Sequence, residues 1–228
     1  MGFVIAVDGP AGSGKGTITS RVAKRLGISI MDTGAMYRCV TVYFLRNGIE
    51  LDDDAGVKDA LTKIDIEMEV IDGVQNFFLN GENVSKEIRT KEVDALVSQV
   101  SHVLPVRLAM VDLQRKLARG KNIIMEGRDI GTNVFPDAEC KIYLDATPEE
   151  RARRRMKQNE EKGIEVSYKE VLANVKFRDE NDRTSDVAPL KMADDAVLLD
   201  STNLSIEEVT DEAIRIIKEK IDIEDIGE

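Results

Sequence analysis

The feature that most limits what this chain can fold into lies in its first seventeen residues. Phe3 to Val7 is a short apolar run that stops at Asp8-Gly9-Pro10. Such a run reads as a strand buried on both faces, which suits a parallel sheet. Glycines follow, and then a helix is predicted from about Thr17, with Ile18, Val22, Ala23 and Leu26 on one face and Gly27 as its stop. Ile28 to Met31 reads as a second strand. Strand, glycine loop, helix and strand form a βαβ unit.

The loop itself is Gly9, Pro10, Ala11, Gly12, Ser13, Gly14, Lys15, Gly16 and Thr17. Its position between a strand and a helix is the context that a phosphate-binding P-loop requires. Glycines let successive backbone N–H groups point inward, and the positive end of the next helix adds to this anion nest. Lys15 supplies a point charge for the β- and γ-phosphates. The pattern departs from a strict Walker A motif, because Gly16 follows Lys15 and the hydroxyl of Thr17 comes one place later.

The remainder continues as α/β. Ala35 to Arg46 reads as a helix closed by Asn47-Gly48, and Glu50 to Asp54 as a loop or helix start. After Lys63 the period changes: Ile64, Ile66, Met68 and Val70 alternate with acidic residues, and Asp72-Gly73 and Asn80-Gly81 punctuate the segment. This predicts a three-stranded antiparallel meander. Helices are predicted at Lys91 to Val103 and Val106 to Arg119, with Pro105 between them, and buried strands at Asn122 to Met125 and Lys141 to Leu144. Thr147 with Pro148 and Glu150 opens a helix to about Glu161. Ser167 with Glu170, and Ser205 with Glu208, open two more, the second after a last strand at Ala196 to Leu199. The acidic tail Asp222 to Glu228 reads as frayed.

The fold class is therefore α/β, a P-loop fold with a small antiparallel insertion and a short helical lid. The expected organisation is one domain over 1–228, with the insertion at 62–90.

Net charge is -11, which argues against nucleic-acid binding driven by phosphate neutralisation. Anionic ligands then require local arginines. Arg38 follows Tyr37 after the second strand, and Arg128-Asp129 follows the strand that ends at Met125. Both lie where ligands sit in open α/β sheets, at the carboxyl ends of strands. Arg151, Arg154 and Arg155 are spaced i, i+3, i+4, so they are expected on one helix face, above donor phosphates. Arg178 and Asp182 are also spaced i, i+4, and a plain surface ion pair is the competing reading. Cys39 and Cys140 make no disulfide framework and read as free thiols. No apolar run reaches membrane-spanning length and no signal peptide is recognisable, so a cytoplasmic protein is expected.

Taken together, these segments resemble the bacterial cytidylate kinases. The resemblance rests on Gly-Pro-Ala-Gly-Ser-Gly-Lys-Gly-Thr (9–17), Asp-Thr-Gly-Ala-Met-Tyr-Arg (32–38), Glu-Ile-Arg-Thr (87–90), Pro-Val-Arg (105–107), Gly-Arg-Asp-Ile-Gly-Thr (127–132), Val-Phe-Pro-Asp-Ala (134–138), Arg-Asp (178–179) and Ala-Pro-Leu (188–190). It implies a five-stranded parallel core, a single kinase domain with a monophosphate-binding region at 33–107 and a lid at 151–166, and transfer of the γ-phosphoryl of ATP to CMP, with dCMP as a second acceptor. It implies acceptor contacts from Thr33, Tyr37, Arg38, Arg107, Arg128, Asp129, Arg178 and Asp182. Catalysis falls to Lys15, Arg128, Asp129, Arg154 and Arg155, and donor binding to the loop and Arg151. Mg2+ would be held mainly through phosphates and water, with no dedicated protein metal site. Ser185 is a departure, since many relatives carry arginine there, with Arg183 nearby. The expected partners are small nucleotides, with no nucleic acid or membrane, and the expected state is a monomer. Two rival readings are a kinase of another acceptor (UMP, AMP or a shikimate-like molecule) and an ATP-binding switch that transfers nothing.

Overall fold

The structure, a computed structural model, describes residues 2–71, 74–161 and 163–222. In chain order the elements are β1 (Val4–Asp8), α1 (Lys15–Leu26), β2 (Ser29–Asp32), α2 (Thr33–Asn47), α3 (Asp54–Leu61), β3 (Ile66–Ile71), β4 (Val74–Leu79) and β5 (Glu82–Asn83). Then come α4 (Lys91–His102), α5 (Leu104–Ala118), β6 (Ile123–Gly127), β7 (Cys140–Asp145), α6 (Pro148–Glu161), α7 (Tyr168–Arg183), β8 (Val197–Asp200) and α8 (Ile206–Lys220). The chain divides into two compact units, one made of Met1–Met31 with Ala118–Glu228, the other of Asp32–Leu117.

The first unit is built on a five-stranded parallel sheet in the order β2-β6-β1-β7-β8. β1 is central, and its four residues Ile5 to Asp8 are buried, as the uninterrupted apolar run predicted. Register aligns the strand ends: Asp8 faces Gly127 on one side and Tyr143 on the other. The loops that follow β1, β6 and β7 therefore leave from one edge of the sheet.

α1 lays Ile18, Val22, Ala23 and Leu26 into a core shared with Ile5, Val7, Ile124, Ile142 and Leu144, and with Val209, Ala213, Ile216 and Ile217 of α8. Each such aliphatic burial is worth about 1.5–3 kcal/mol for the larger side chains. Gly27 ends α1 in the left-handed region, and its N–H donates to the Ala23 carbonyl. Both serine capping boxes form, at Ser167–Glu170 and Ser205–Glu208. The Thr147 hydroxyl accepts from the Glu150 N–H at 3.3 Å.

The second unit holds α2 to α5 and the antiparallel sheet β3-β4-β5. The alternation rule places Phe77 and Leu79 of β4 inside, beside a buried set that includes Met36, Val40, Phe44, Ile88 and Val100. Asn80 and Gly81 both take positive φ, the conformation an Asn-Gly hairpin requires. The expected Asp72-Gly73 turn lies outside the described residues, as does the tail beyond Asp222. Pro105 corrects one expectation: it sits inside the first turn of α5, and Val103 alone separates α4 from α5. Proline fits there because first-turn N–H groups have no partner in the helix to lose. No single described helix is long and apolar enough to cross a membrane.

Candidate phosphate and arginine sites

The phosphate loop is made possible by close backbone approach. A Cβ at Gly9 would lie 2.0 Å from the Leu144 carbonyl oxygen, so only glycine fits. Gly14 takes φ 97° and hands the chain to α1, whose first residue is Lys15. In this first turn the Thr17 and Ile18 N–H groups both donate to the Gly14 carbonyl at 3.1 Å, and a helix start of this kind favours an anion. Gly16 sits where a strict Walker A would carry a hydroxyl residue, and a Cβ there would come 3.3 Å from Oε1 of buried Glu126. Thr17 is exposed.

Lys15 is buried at 8% exposure, and its Nζ donates to the Gly9 and Pro10 carbonyls at 2.7 and 2.9 Å. Burial pulls its pKa from 10.5 down to about 7, Arg128 pushes the same way, and Glu126, Asp8 and Asp182 oppose the fall. An incoming triphosphate would reverse the balance by favouring the ammonium form.

Asp8 was not singled out in the sequence. Its carboxylate ends β1 and accepts from the N–H groups of Ile130 and Gly131 at 2.8 and 2.7 Å, fixing the π-type turn Ile130–Val134. Burial raises its pKa, while those two amides, Lys15 and Arg128 hold the charge. The available signal was an acid at the carboxyl end of a buried parallel strand. Asp129, also buried, accepts from Asn133 Nδ2 at 3.1 Å.

Arg128 donates from Nε to Asp182 at 2.9 Å, and its side chain remains 31% exposed. Asp182 therefore pairs across elements with Arg128. Arg178 is half-buried one turn earlier on α7.

The three arginines at 151, 154 and 155 share a face of α6 but occupy three environments. Arg151 is 2% exposed and held on every side: Nε to the Ala146 carbonyl, Nη1 to the Ala11 carbonyl, and both Nη atoms to Asp179. Arg154 is half-buried and bonds Glu150, the Ser13 carbonyl and Ser201. Arg155 is exposed. Helical spacing alone could not separate them, because the packing of α7 and of the turn after β8 decides which one is enclosed. Asp179 enters the sequence reading only within the Arg-Asp motif and without a role, and Ser201 does not enter it at all.

In the second unit, Tyr37 and Arg107 form a buried pair. Arg107 Nη1 donates to the Tyr37 hydroxyl at 3.1 Å, and the guanidinium lies 5.8 Å from the ring centroid. Burial raises the Tyr37 pKa against the pull of Arg107. Arg38 donates to the Ile88 carbonyl at 2.8 Å and pairs with Asp94 at 2.6 Å, which makes Asp94 a further residue that sequence reading overlooked. Thr33 is buried at the start of α2, where Asp32 caps the helix. Cys39 and Cys140 are free and buried, their thiols pushed up to about 12, so neither is a reactive nucleophile.

A family model described as cytidylate kinase matches residues 5–219. A curated relative from Thermosipho melanesiensis named cytidylate kinase is 48% identical, covering 95% of this chain and 97% of its own length. Relatives of the same name from Carboxydothermus hydrogenoformans and Pasteurella multocida are 48% and 45% identical, covering 96% and 97% of this chain and 99% and 97% of their own lengths. Among solved structures, an uncharacterized protein from Eubacterium ventriosum superposes with a TM-score of 0.52 at 13% identity, covering 95% of this chain and 98% of that one, a likeness of fold alone.

Proposed function

This chain belongs to the cytidylate kinase family, and from that premise we propose that it moves the γ-phosphoryl of ATP to CMP, giving ADP and CDP, with dCMP as a second acceptor. The observation that carries the reading is the sheet edge where a glycine loop presents Lys15 and the neighbouring strand presents Arg128. A loop with a buried lysine beside a partly exposed guanidinium supports a donor cradle next to an acceptor grip.

Phosphoryl transfer asks mainly for positioning and charge neutralisation. The CMP phosphate is already an anion and attacks in line, so no strong general base is needed. Loop amides and Lys15 hold the donor, and Arg154 and Arg155 neutralise charge on the moving group. Arg128 and Arg107 grip the acceptor phosphate. Tyr37 and Arg38 support that grip, and Thr33, Arg178 and Asp182 read base and sugar. Asp129 orients Arg128. Residues 33–107 serve as the monophosphate region, and 151–166 as a lid that excludes water, since open access would divert ATP to hydrolysis.

The donor travels with Mg2+, a hard cation that keeps several waters and prefers phosphate and carboxylate oxygens. Among the described residues no cluster of three or more His, Cys, Asp or Glu is arranged to hold a metal ion, and both Asp8 oxygens already accept backbone N–H groups. Buried Glu126 beside Gly16, together with Asp129, fits a cation held through phosphates and water. When bound, the ion would neutralise charge between the β- and γ-phosphates.

The test is an acceptor panel of CMP, dCMP, UMP and AMP with ADP detection. CMP-dependent ADP release with CDP as product is expected. ADP release independent of acceptor would favour a switch, and faster turnover of UMP or AMP would reassign the acceptor. Size-exclusion chromatography should give a monomer, and fractionation a cytoplasmic protein.

A further inference from the structure

We propose that Asp179 is a positioning residue that couples the donor loop to the acceptor helix, so that ATP and CMP tighten each other's binding through it. The proposal rests on the reading of Arg178 and Asp182 as acceptor contacts.

The geometry runs along one continuous chain of bonds. The two Asp179 oxygens accept from Arg151 Nη1 and Nη2 at 2.8 and 2.6 Å, a bidentate arrangement that fixes the guanidinium plane. Nη1 also donates to the Ala11 carbonyl at 3.1 Å, inside the phosphate loop. Nε donates to the Ala146 carbonyl at 2.8 Å, which anchors the group to the end of β7. A Cβ on loop residue Gly12 would lie 3.4 Å from the Arg151 Cβ, so the side chain also packs on the loop. Three residues after Asp179, the Asp182 carboxylate accepts from Arg128 at 2.9 Å. At 1.5 Å of rise per residue, about 4.5 Å of rigid helix separates the two acids. Arg178 adjoins Asp179 in the same turn.

Movement of the Ala11 carbonyl is therefore felt by α7 through a single planar ion pair. Arg151 and Asp179 are 2% and 6% exposed. A pair this deeply buried carries a large desolvation cost, and hydrophobic replacement is often as stable. Two nearby exposed cations, Arg153 and Arg155, show that an arginine on α6 does not need such burial. What the buried pair adds is a fixed geometry shared by loop and helix. A ligand that orders the loop then pre-orders α7 for the second ligand, and linkage requires the reverse effect to be equal.

The experiment measures CMP affinity by calorimetry with and without a non-hydrolysable ATP analogue, and analogue affinity with and without CMP. In the unaltered protein we expect each ligand to tighten the other by the same factor, on the order of 5- to 10-fold. Asp179→Asn leaves Arg151 buried beside a neutral partner and is expected to destabilise the fold. The decisive variant is therefore Arg151→Met with Asp179→Leu, which buries no lone charge. It should keep its circular dichroism spectrum, and whatever analogue affinity it loses with Arg151, the ratio of affinities with and without the second ligand falls to about one. A purely structural pair would lower Tm and leave the factor unchanged, and that result overturns the proposal. So does a factor of one in the unaltered protein. Absence of CMP phosphorylation by the unaltered protein sinks the functional reading instead, so the two failures are distinct.

Discussion

The glycine loop and the residues of the second unit proposed to hold the acceptor are built from different materials. The loop is a backbone device: glycines give its shape, carbonyls of Gly9, Pro10, Ala11 and Ser13 receive the cations, and no side chain other than Lys15 carries its charge. The Tyr37–Arg107 and Arg38–Asp94 pairs are side-chain devices, set by residues up to 70 positions apart. A backbone device tolerates few substitutions, and its distant partners Arg151 and Arg154 reach it through carbonyls that do not depend on the loop's side chains. A side-chain device can be retuned one residue at a time, which suits the half of a kinase that must tell one acceptor from another.

That contrast can be broken in order of expected effect. Lys15→Ala should lower kcat/KM by about 10³-fold or more, roughly 4 kcal/mol of transition-state stabilisation. A loss under tenfold would mean that the loop amides carry the donor unaided. Next, Arg128→Ala should reduce CMP phosphorylation by about 10²-fold, in the range of a lost charge-assisted contact. Near-normal turnover would remove Arg128 from the acceptor grip.

Smaller is the loss in Tyr37→Phe, which removes the oxygen that accepts from Arg107. The KM for CMP should rise by about 3- to 10-fold, as expected for one buried hydrogen bond of about 1 kcal/mol. The KM for ATP should not move, and an equal rise in both would erase the distinction between the two devices.

The mildest effect is one of pH. Burial holds the pKa of the Lys15 amine well below its ordinary 10.5, so its charged form is depleted earlier than a free lysine's as pH rises. Triphosphate binding favours the charged form, so a proton is taken up on binding. ATP affinity should then weaken as pH rises from about 7 to 9. Calorimetry in buffers of different ionisation enthalpy should show that uptake, and Lys15→Arg should abolish it because guanidinium does not titrate there. Uptake that persists in Lys15→Arg would belong to another group.

Legibility in the sequence followed the same line. Gly27, Gly48, the Asn80-Gly81 turn and the capping boxes act within four residues of themselves, and each could be placed before any coordinates. The glycine loop was equally plain as a pattern, because Gly12 and Gly14 take positive φ, although the approach of Leu144 that requires glycine at position 9 comes from a distant strand. What could not be read was partner choice over distance. Asp182 bonds a residue 54 positions away, Arg151 bonds one 28 away, and Ser201 closes on Arg154 across 47. Arg151, Arg154 and Arg155 are the same amino acid at helical spacing, and only tertiary packing distinguishes the enclosed one from the exposed one. Pro105 failed for a different reason: proline marks a boundary, but the first turn of a helix accepts it as readily as the gap before one.

The most direct test of two grips with separate jobs is a crossed titration. A non-hydrolysable ATP analogue and CMP are each titrated into Lys15→Ala and into Arg128→Ala. The first variant should lose the analogue and keep CMP, and the second should lose CMP and keep the analogue. Parallel losses of both ligands in either variant would contradict the account.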